Sequence, residues 1–122
     1  MSTRSVLLVG FDPHAIPGVD AAMVDTAIAM GEARFAAEGI EADTCLVKPD
    51  ATARAQIVEH LTRKPYAVVV IGGGLRKPDD QVELLEHTIQ LIRTHAPQAA
   101  IAFNTNPITS ADAAKRWLAP RA

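Results

Sequence analysis

The sequence alternates short apolar runs with segments of helical periodicity four times along its length. In three of the four runs nearly every residue is apolar, whereas a strand with one face in water would alternate apolar and polar residues. Continuous runs of this kind predict strands of a parallel sheet that is covered by helices on both faces. The predicted strands are SVLLVGF (5–11), ADTCLVK (42–48), YAVVVI (66–71) and AAIAF (99–103). The second of them is the run that is not nearly continuously apolar.

The segments that separate or follow these runs carry apolar residues at helical spacing. In the first segment the apolar positions lie four, three and four apart, so they share one helix face, and Gly39 predicts the end of that helix. Thr109 or Ser110 is the predicted cap of the last helix, and Trp117 is expected to seal that helix onto the sheet. The four stripes are Val24, Ile28, Gly31 and Phe35; Ala53, Ile57 and Leu61; Val82, Leu85, Ile89 and Ile92; and Ala114, Trp117 and Leu118.

This alternation of strand and helix predicts an α/β fold, a three-layer α/β/α sandwich with a four-stranded parallel sheet. Right-handed crossovers favour a flavodoxin-like strand order, 2-1-3-4. Folds of this layout usually have a fifth strand, and the sequence ends before one. The fourth strand is therefore expected to be an exposed edge that a second copy of the chain could cover.

Length and composition restrict the classes of function. The 122 residues suit a single domain that spans 1–122. The net charge is −2 and the arginines are scattered, so the sequence has no concentrated positive charge that would attract nucleic acid or an anionic membrane. Asp12 interrupts the first apolar run, so neither a signal peptide nor a membrane span is expected. Cys45 is the sole cysteine, expected to be an inert core residue, and a cytoplasmic location follows as the default.

The polar residues concentrate where the predicted strands end. Open parallel sheets bind ligands outside the carboxyl ends of their strands, where the chain order reverses, and here the reversal falls between the first and third strands. The segments that follow the first, third and fourth strands would meet at that edge. They supply the candidate ligand-binding residues Asp12, His14, Gly72, Gly73, Gly74, Arg76, Lys77, Asn104 and Asn106.

Two interpretations of the glycine run GGGLRKPDD (72–80) remain open. In one, successive glycines turn their N–H groups inward as an anion-binding nest, and Arg76 binds a carboxylate or phosphate. In the other, the glycines form a tight turn, and Arg76 and Lys77 pair with nearby aspartates. The spacing matches neither G-x-G-x-x-G nor the G-K-[ST] end of a nucleotide-binding loop. Asp79 or Asp80 is also expected to cap the next helix and to occupy its positive end, which favours the turn.

Asp12 and His14 also allow two interpretations. The pair could orient an imidazole for proton transfer, or Asp12 could form a turn before Pro13 while His14 lies in solvent. The only serine at this edge is Ser110, and no histidines or acidic residues have the spacing of metal ligands, so no metal site is predicted. No cofactor follows from the sequence.

The segments KPYAVVVIGGGLRKP and HAPQAAIAFNTNP resemble those of a group of small bacterial single-domain α/β proteins with a flavodoxin-like layout. No activity or site residue is assigned to that group. The resemblance covers most of the chain, and it implies a single domain in a bacterial cytoplasm but no particular chemistry.

Two hypotheses on function follow. In the first, the chain binds an anionic small molecule at the carboxyl ends of the strands. Arg76 and Lys77 supply charge, the glycines supply backbone donors, and Asp12 with His14 supplies any proton transfer. In the second, the chain is an interaction module without chemistry that forms a homodimer through helix faces or the edge of the fourth strand. The sequence favours binding over catalysis, because it contains no nucleophile with a base and no nucleotide-binding motif.

Overall fold

A computed structural model of the chain describes residues 5–118, and a four-stranded parallel sheet forms its centre. The strands are β1 (Ser5–Phe11), β2 (Glu41–Val47), β3 (Val68–Ile71) and β4 (Ala100–Phe103). Their order is β2-β1-β3-β4, which confirms the order expected from right-handed crossovers.

The register of the sheet leaves a gap at its carboxyl edge. The last paired position of β1 and β3 joins Val9 to Ile71, so the final residues of β1, Gly10 and Phe11, extend past the paired part of β3. On the other side of β1, pairing with β2 continues to Phe11. The chain therefore leaves β3 beside the uncovered end of β1, which opens a crevice between the two strands.

The described part of the chain contains five helices, which pack around the sheet. They are α1 (Ala21–Ala37), α2 (Ala53–Leu61), α3 (Gly73–Arg76), α4 (Val82–His95) and α5 (Ser110–Lys115). Short 3₁₀ turns at Pro13–Ala15 and Pro107–Thr109 lie between a strand and the helix that follows it, and a third, at Asp79–Gln81, connects α3 to α4. Helices α2 and α4 share one face, and α1 and α5 share the other. The arrangement is the three-layer sandwich that the alternating pattern predicts.

Successive residues of β1 enter two separate cores. Leu7 and Val9 pack with Ile57 and Ile92 on the side of α2 and α4. Val6, on the opposite side of the strand, packs with the residues that face α1 and α5. Because both faces of the strand are buried, an unbroken apolar run is the pattern that this position requires.

Helix α1 ends where Gly39 predicts. The N–H of Ile40 donates to the carbonyl of Phe35, and the N–H of Gly39 donates to the carbonyl of Ala36. These are the two bonds of a Schellman motif, which requires a positive φ at the residue after the cap, and Gly39 has a φ of 69°.

Gly31, inside α1, is explained by a close approach of the chain. A Cβ at this position would overlap the carbonyl oxygen of Pro107 and lie 3.2 Å from its carbonyl carbon. Only glycine therefore lets α1 pack against the 3₁₀ turn that begins at Pro107.

Two expectations about helix ends are wrong. Trp117 does not seal the last helix, because α5 ends at Lys115 and the tryptophan, two residues later, is 58% exposed. Leu118 and the alanines of α5 cover the sheet instead. Neither Asp79 nor Asp80 caps α4, because both lie in a 3₁₀ turn that moves the start of the helix to Val82.

Within the described residues, no helix is long and apolar enough to cross a membrane.

Candidate ligand-binding site

A cleft of about 560 Å³ opens at the carboxyl edge of the sheet, at the crevice between β1 and β3. Its lining comes from the segments after β1, β3 and β4, together with the first half of α1. The lining residues include Leu8, Gly10, Phe11, Pro13, Ile16, Val24, Ile28, Leu46, Gly72, Gly73, Gly74, Lys77, Asp80, Asn104, Thr105, Asn106 and Pro107.

The floor and one wall of the cleft are apolar. Leu8 and Gly10 of β1 and Leu46 of β2 line the cleft from the sheet, and a Cβ at Gly10 would meet only the Leu46 Cδ2, at 3.8 Å. Val24 and Ile28 line it from α1 and are only half-buried. The apolar stripe of α1 therefore faces protein in its second half and the cleft in its first half.

The glycine run is neither an anion-binding nest nor a simple turn. Gly72 is extended, with φ −74° and ψ 160°, and the next four residues form α3. None of the three glycines has a positive φ, whereas a nest alternates right-handed and left-handed residues. The glycines instead allow close contacts with β1. A Cβ added at Gly72 would lie 3.3 Å from the Val9 carbonyl oxygen, and a Cβ added at Gly74 would lie 3.3 Å from Phe11 Cδ2.

Lys77 lies across the middle glycine. A Cβ at Gly73 would come within 3.2 Å of the Lys77 Cε and 3.5 Å of its Nζ. The Nζ donates to the carbonyl of Thr105 at 3.3 Å, so the side chain spans from the segment after β3 to the segment after β4. Among the described residues that line the cleft, two carry a charge: Lys77 is the cation, and Asp80 is the carboxylate.

Arg76 is directed at backbone carbonyls and does not line the cleft. Its Nε donates to the Ile71 carbonyl at 3.2 Å, and its Nη2 donates to the Asn104 carbonyl. The guanidinium carbon also lies 5.2 Å from the centroid of the Phe103 ring. Arg76 thus uses its Nε and Nη2 to satisfy carbonyls at the ends of β3 and β4. In residues 5–118, no ion pair joins Arg76 to the nearby aspartates, contrary to the turn interpretation.

The two asparagines shape the segment after β4. Asn104 is buried, and its Nδ2 donates to Ser110 Oγ at 3.0 Å, while that hydroxyl donates to the Pro107 carbonyl at 2.8 Å. The Oδ1 of Asn106 accepts from the N–H of Ile108 at 2.9 Å and opens the 3₁₀ turn as its cap. Both asparagines line the cleft.

Asp12 and His14 lie at the mouth of the site but outside its lining. The Asp12 Oδ1 accepts from the N–H of His14 at 2.9 Å, which is the turn that one interpretation predicts before a proline. The His14 Nε2 lies 2.7 Å from Asp25 Oδ2, a partner on α1 that sequence reasoning missed. The hydrogen bond with Asp25 raises the pKa of His14, although the imidazole is 64% exposed.

The cysteine and the most prominent charged cluster both lie away from the cleft lining. Burial raises the pKa of the Cys45 thiol to about 12, which keeps it protonated and inert. Tyr66 is buried, and its hydroxyl donates to Asp43 at 2.6 Å, while Lys64 lies 2.8 Å from the same carboxylate. These groups satisfy one another and have a structural role. In the described part of the chain, no cluster of histidine, cysteine or acidic residues is arranged to hold a metal.

Six of the nine candidate residues line the cleft: Gly72, Gly73, Gly74, Lys77, Asn104 and Asn106. Three do not: Asp12, His14 and Arg76. Sequence reasoning missed the apolar half of the site, because a helix stripe that lines a cleft has the same period as one that packs against a sheet. Neither a protein-family model nor a curated protein matches this chain.

Proposed function

We propose that this chain is a binding domain for a small anionic molecule that enters the cleft between β1 and β3. The observation that carries the proposal is Lys77, a cation held across Gly73 at the rim of a cleft of about 560 Å³. That volume lies in the range of small-molecule sites, roughly 300 to 1,000 Å³. Open α/β sheets also bind their ligands at the crevice where strand order reverses. A cytoplasmic location belongs to the same proposal.

We propose binding without catalysis, because no candidate nucleophile pairs with a candidate base at the cleft among the described residues. The Thr105 hydroxyl lies 2.9 Å from that of Thr109, and His14 is held by Asp25. A nucleophile needs a base within hydrogen-bonding distance, and neither group forms such a pair at the cleft.

Replacing Lys77 by alanine is expected to weaken the binding of an anionic ligand about tenfold, because the substitution removes the charge at the rim. Folding should be little affected, since the ammonium is exposed and its one bond to another described residue is long, at 3.3 Å to the Thr105 carbonyl. The measurement is a thermal-shift screen against carboxylates, sugar phosphates, nucleotides, flavins and coenzyme A. A ligand at about a hundred times its Kd adds roughly 2.7 kcal/mol to stability, which is several degrees in melting temperature.

Lys48 provides the matched control, because it is an exposed lysine just after β2, at the same edge of the sheet but outside the cleft. The Lys48→Ala variant should keep the ligand response of the unmodified chain. A panel without any response, or equal loss in both variants, would contradict the proposed site.

Self-association through β4 is a second candidate, and exposed aromatic residues favour it. Within residues 5–118, β4 pairs with β3 alone, and its sequence AIAF contains none of the charged residues that protect edge strands. Phe103 at its end is 44% exposed, and Trp117 is also exposed. A homodimer formed through this edge would cover both aromatic side chains.

If that dimer forms, Trp117→Lys is expected to shift the chain to monomers, because an ammonium would then have to be buried in the interface. The measurement is sedimentation velocity over a range of protein concentrations. Met23→Lys is the control, since Met23 is an exposed residue on α1. A monomer at all concentrations without substitution would exclude this candidate.

A further inference from the structure

We infer that the cleft takes an apolar monocarboxylate, a molecule with one negative charge and an aliphatic or aromatic body. The inference rests on the proposed function, because it names the class of anion for the same site. Three features of the cleft support it: its charge, the distribution of its apolar side chains, and the open space above Gly10.

The charge of the cleft suits a single anionic group. Lys77 provides one positive charge, and the Asp80 carboxylate lines the same cleft. Arg76 does not line the cleft, and its Nε and Nη2 donate to the Ile71 and Asn104 carbonyls, so Lys77 is the cation that a ligand in the cleft would contact. A phosphate monoester, with about two negative charges at neutral pH, or a polyphosphate would leave excess charge beside Asp80. A carboxylate matches one ammonium.

Most apolar side chains of the cleft come from β1, β2, α1 and the segment between β1 and α1. Leu8 and Leu46 form the floor, Val24 and Ile28 form the wall from α1, and Ile16 adds to the lining from the segment after β1. The polar groups belong to the segments after β3 and β4, where Lys77 reaches the carbonyl of Thr105. A ligand with its carboxylate at Lys77 and its apolar body over β1 and β2 would satisfy both sides, as small-molecule sites usually require.

Gly10 leaves the floor of the cleft open. A Cβ at this position would make one ordinary contact, with Leu46 at 3.8 Å, so there is room above the strand for an apolar group. The same room allows a valine at position 10 to occupy space that the ligand needs, without displacing backbone.

The test is calorimetric titration of the full chain with acetate, hexanoate, octanoate and phenylacetate, with neutral octanamide and with ADP. Each buried methylene is expected to raise the affinity about fourfold, so octanoate should bind more tightly than hexanoate and acetate the most weakly. Octanamide and ADP should bind at least tenfold more weakly than octanoate. Phenylacetate distinguishes an aromatic body from an aliphatic one.

Two variants locate the apolar body of the ligand. Gly10→Val should lower the affinity for octanoate at least tenfold, with an unchanged melting temperature in the absence of ligand. If that variant is unstable, Val24→Ser provides a second test from the wall on α1, and it should lower the affinity for octanoate more than that for hexanoate.

The outcomes separate this inference from the proposed function. If ADP or a sugar phosphate binds in a manner that depends on Lys77 while octanoate does not bind, the inference is wrong and the proposed function stands. If octanamide binds as tightly as octanoate, both are wrong, because charge then plays no part. If none of these compounds binds, and the thermal-shift panel is also without response, both are wrong.

Discussion

Replacing Gly31 by alanine is expected to lower the melting temperature by about 8 °C, although alanine is the better helix former. The added methyl group would overlap the carbonyl oxygen of Pro107, a backbone atom that cannot rotate away as a side chain could. Overpacking of this kind costs roughly 3 kcal/mol at the upper end of its range, and the gain in helix propensity offsets about 1 kcal/mol. The net loss is therefore about 2 kcal/mol.

The same substitution is expected to change the cleft. Pro107 lines it from one side, and Val24 and Ile28 line it from the helix that contains Gly31. Separating α1 from Pro107 would widen the cleft and weaken ligand binding.

The measurement is the melting temperature of the Gly31→Ala variant, compared with that of a separate Gly10→Ala variant. At Gly10 a methyl group has room, since its nearest neighbour would be Leu46 at 3.8 Å. The Gly10→Ala variant should therefore melt close to the unmodified chain. Equal melting temperatures for both variants would show that α1 and Pro107 do not pack as closely as described.

The Arg76→Ala variant is expected to lose about 2 kcal/mol of stability, or about 8 °C in melting temperature, whereas Lys77→Ala should lose less than about 0.5 kcal/mol. The Arg76 guanidinium donates to the carbonyl of the last residue of β3 and to that of Asn104, just after β4. Hydrogen bonds with a charged donor contribute roughly 1.5 to 3 kcal/mol. The expected loss of stability lies low in that range because the Arg76 side chain is only half-buried. Its stacking on Phe103 adds a smaller part.

Thermal unfolding and ligand titration of both variants measure this difference. Arg76→Lys should recover only part of the stability, since one ammonium cannot replace a planar fork that bonds two carbonyls at once. Lys77→Ala should lose ligand affinity and keep its stability. The reverse pattern, with Arg76→Ala stable but unable to bind, would assign the anion contact to Arg76 instead.

Three of the four strands could be predicted from sequence because their apolar runs are nearly continuous, as VVVI in β3 is, and the strand order could be predicted because right-handed crossovers favour it. The role of Arg76 could not be predicted. The residue follows three glycines, which suggests an anion site, yet its acceptor at Asn104 is 28 positions away in sequence. The sequence around Arg76 does not indicate that the backbone carbonyls of Ile71 and Asn104 need a hydrogen-bond donor.

The site itself was predictable only in its polar part. Lys77 and the glycines stand out as charged and flexible residues after a strand, where ligands bind in such folds. Val24 and Ile28 stand in the same stripe as Phe35, which is buried, and periodicity alone cannot tell a wall of a cleft from a core face. Periodicity also places Trp117 on the last helix, because the apolar spacing continues past Lys115, where α5 ends.

The most direct test of the central claim is a nitrogen-15 amide titration of the chain with octanoate. If the cleft between β1 and β3 is the binding site, saturable shifts should concentrate at Gly10, Gly73 and Lys77, with smaller changes at Asn106. The amides of Tyr66 and Arg54, outside the cleft, should remain unchanged. Shifts that concentrate elsewhere, such as at Phe103 and Trp117, or no saturable shift at any amide, would contradict the assignment of this cleft as a site for an apolar anion.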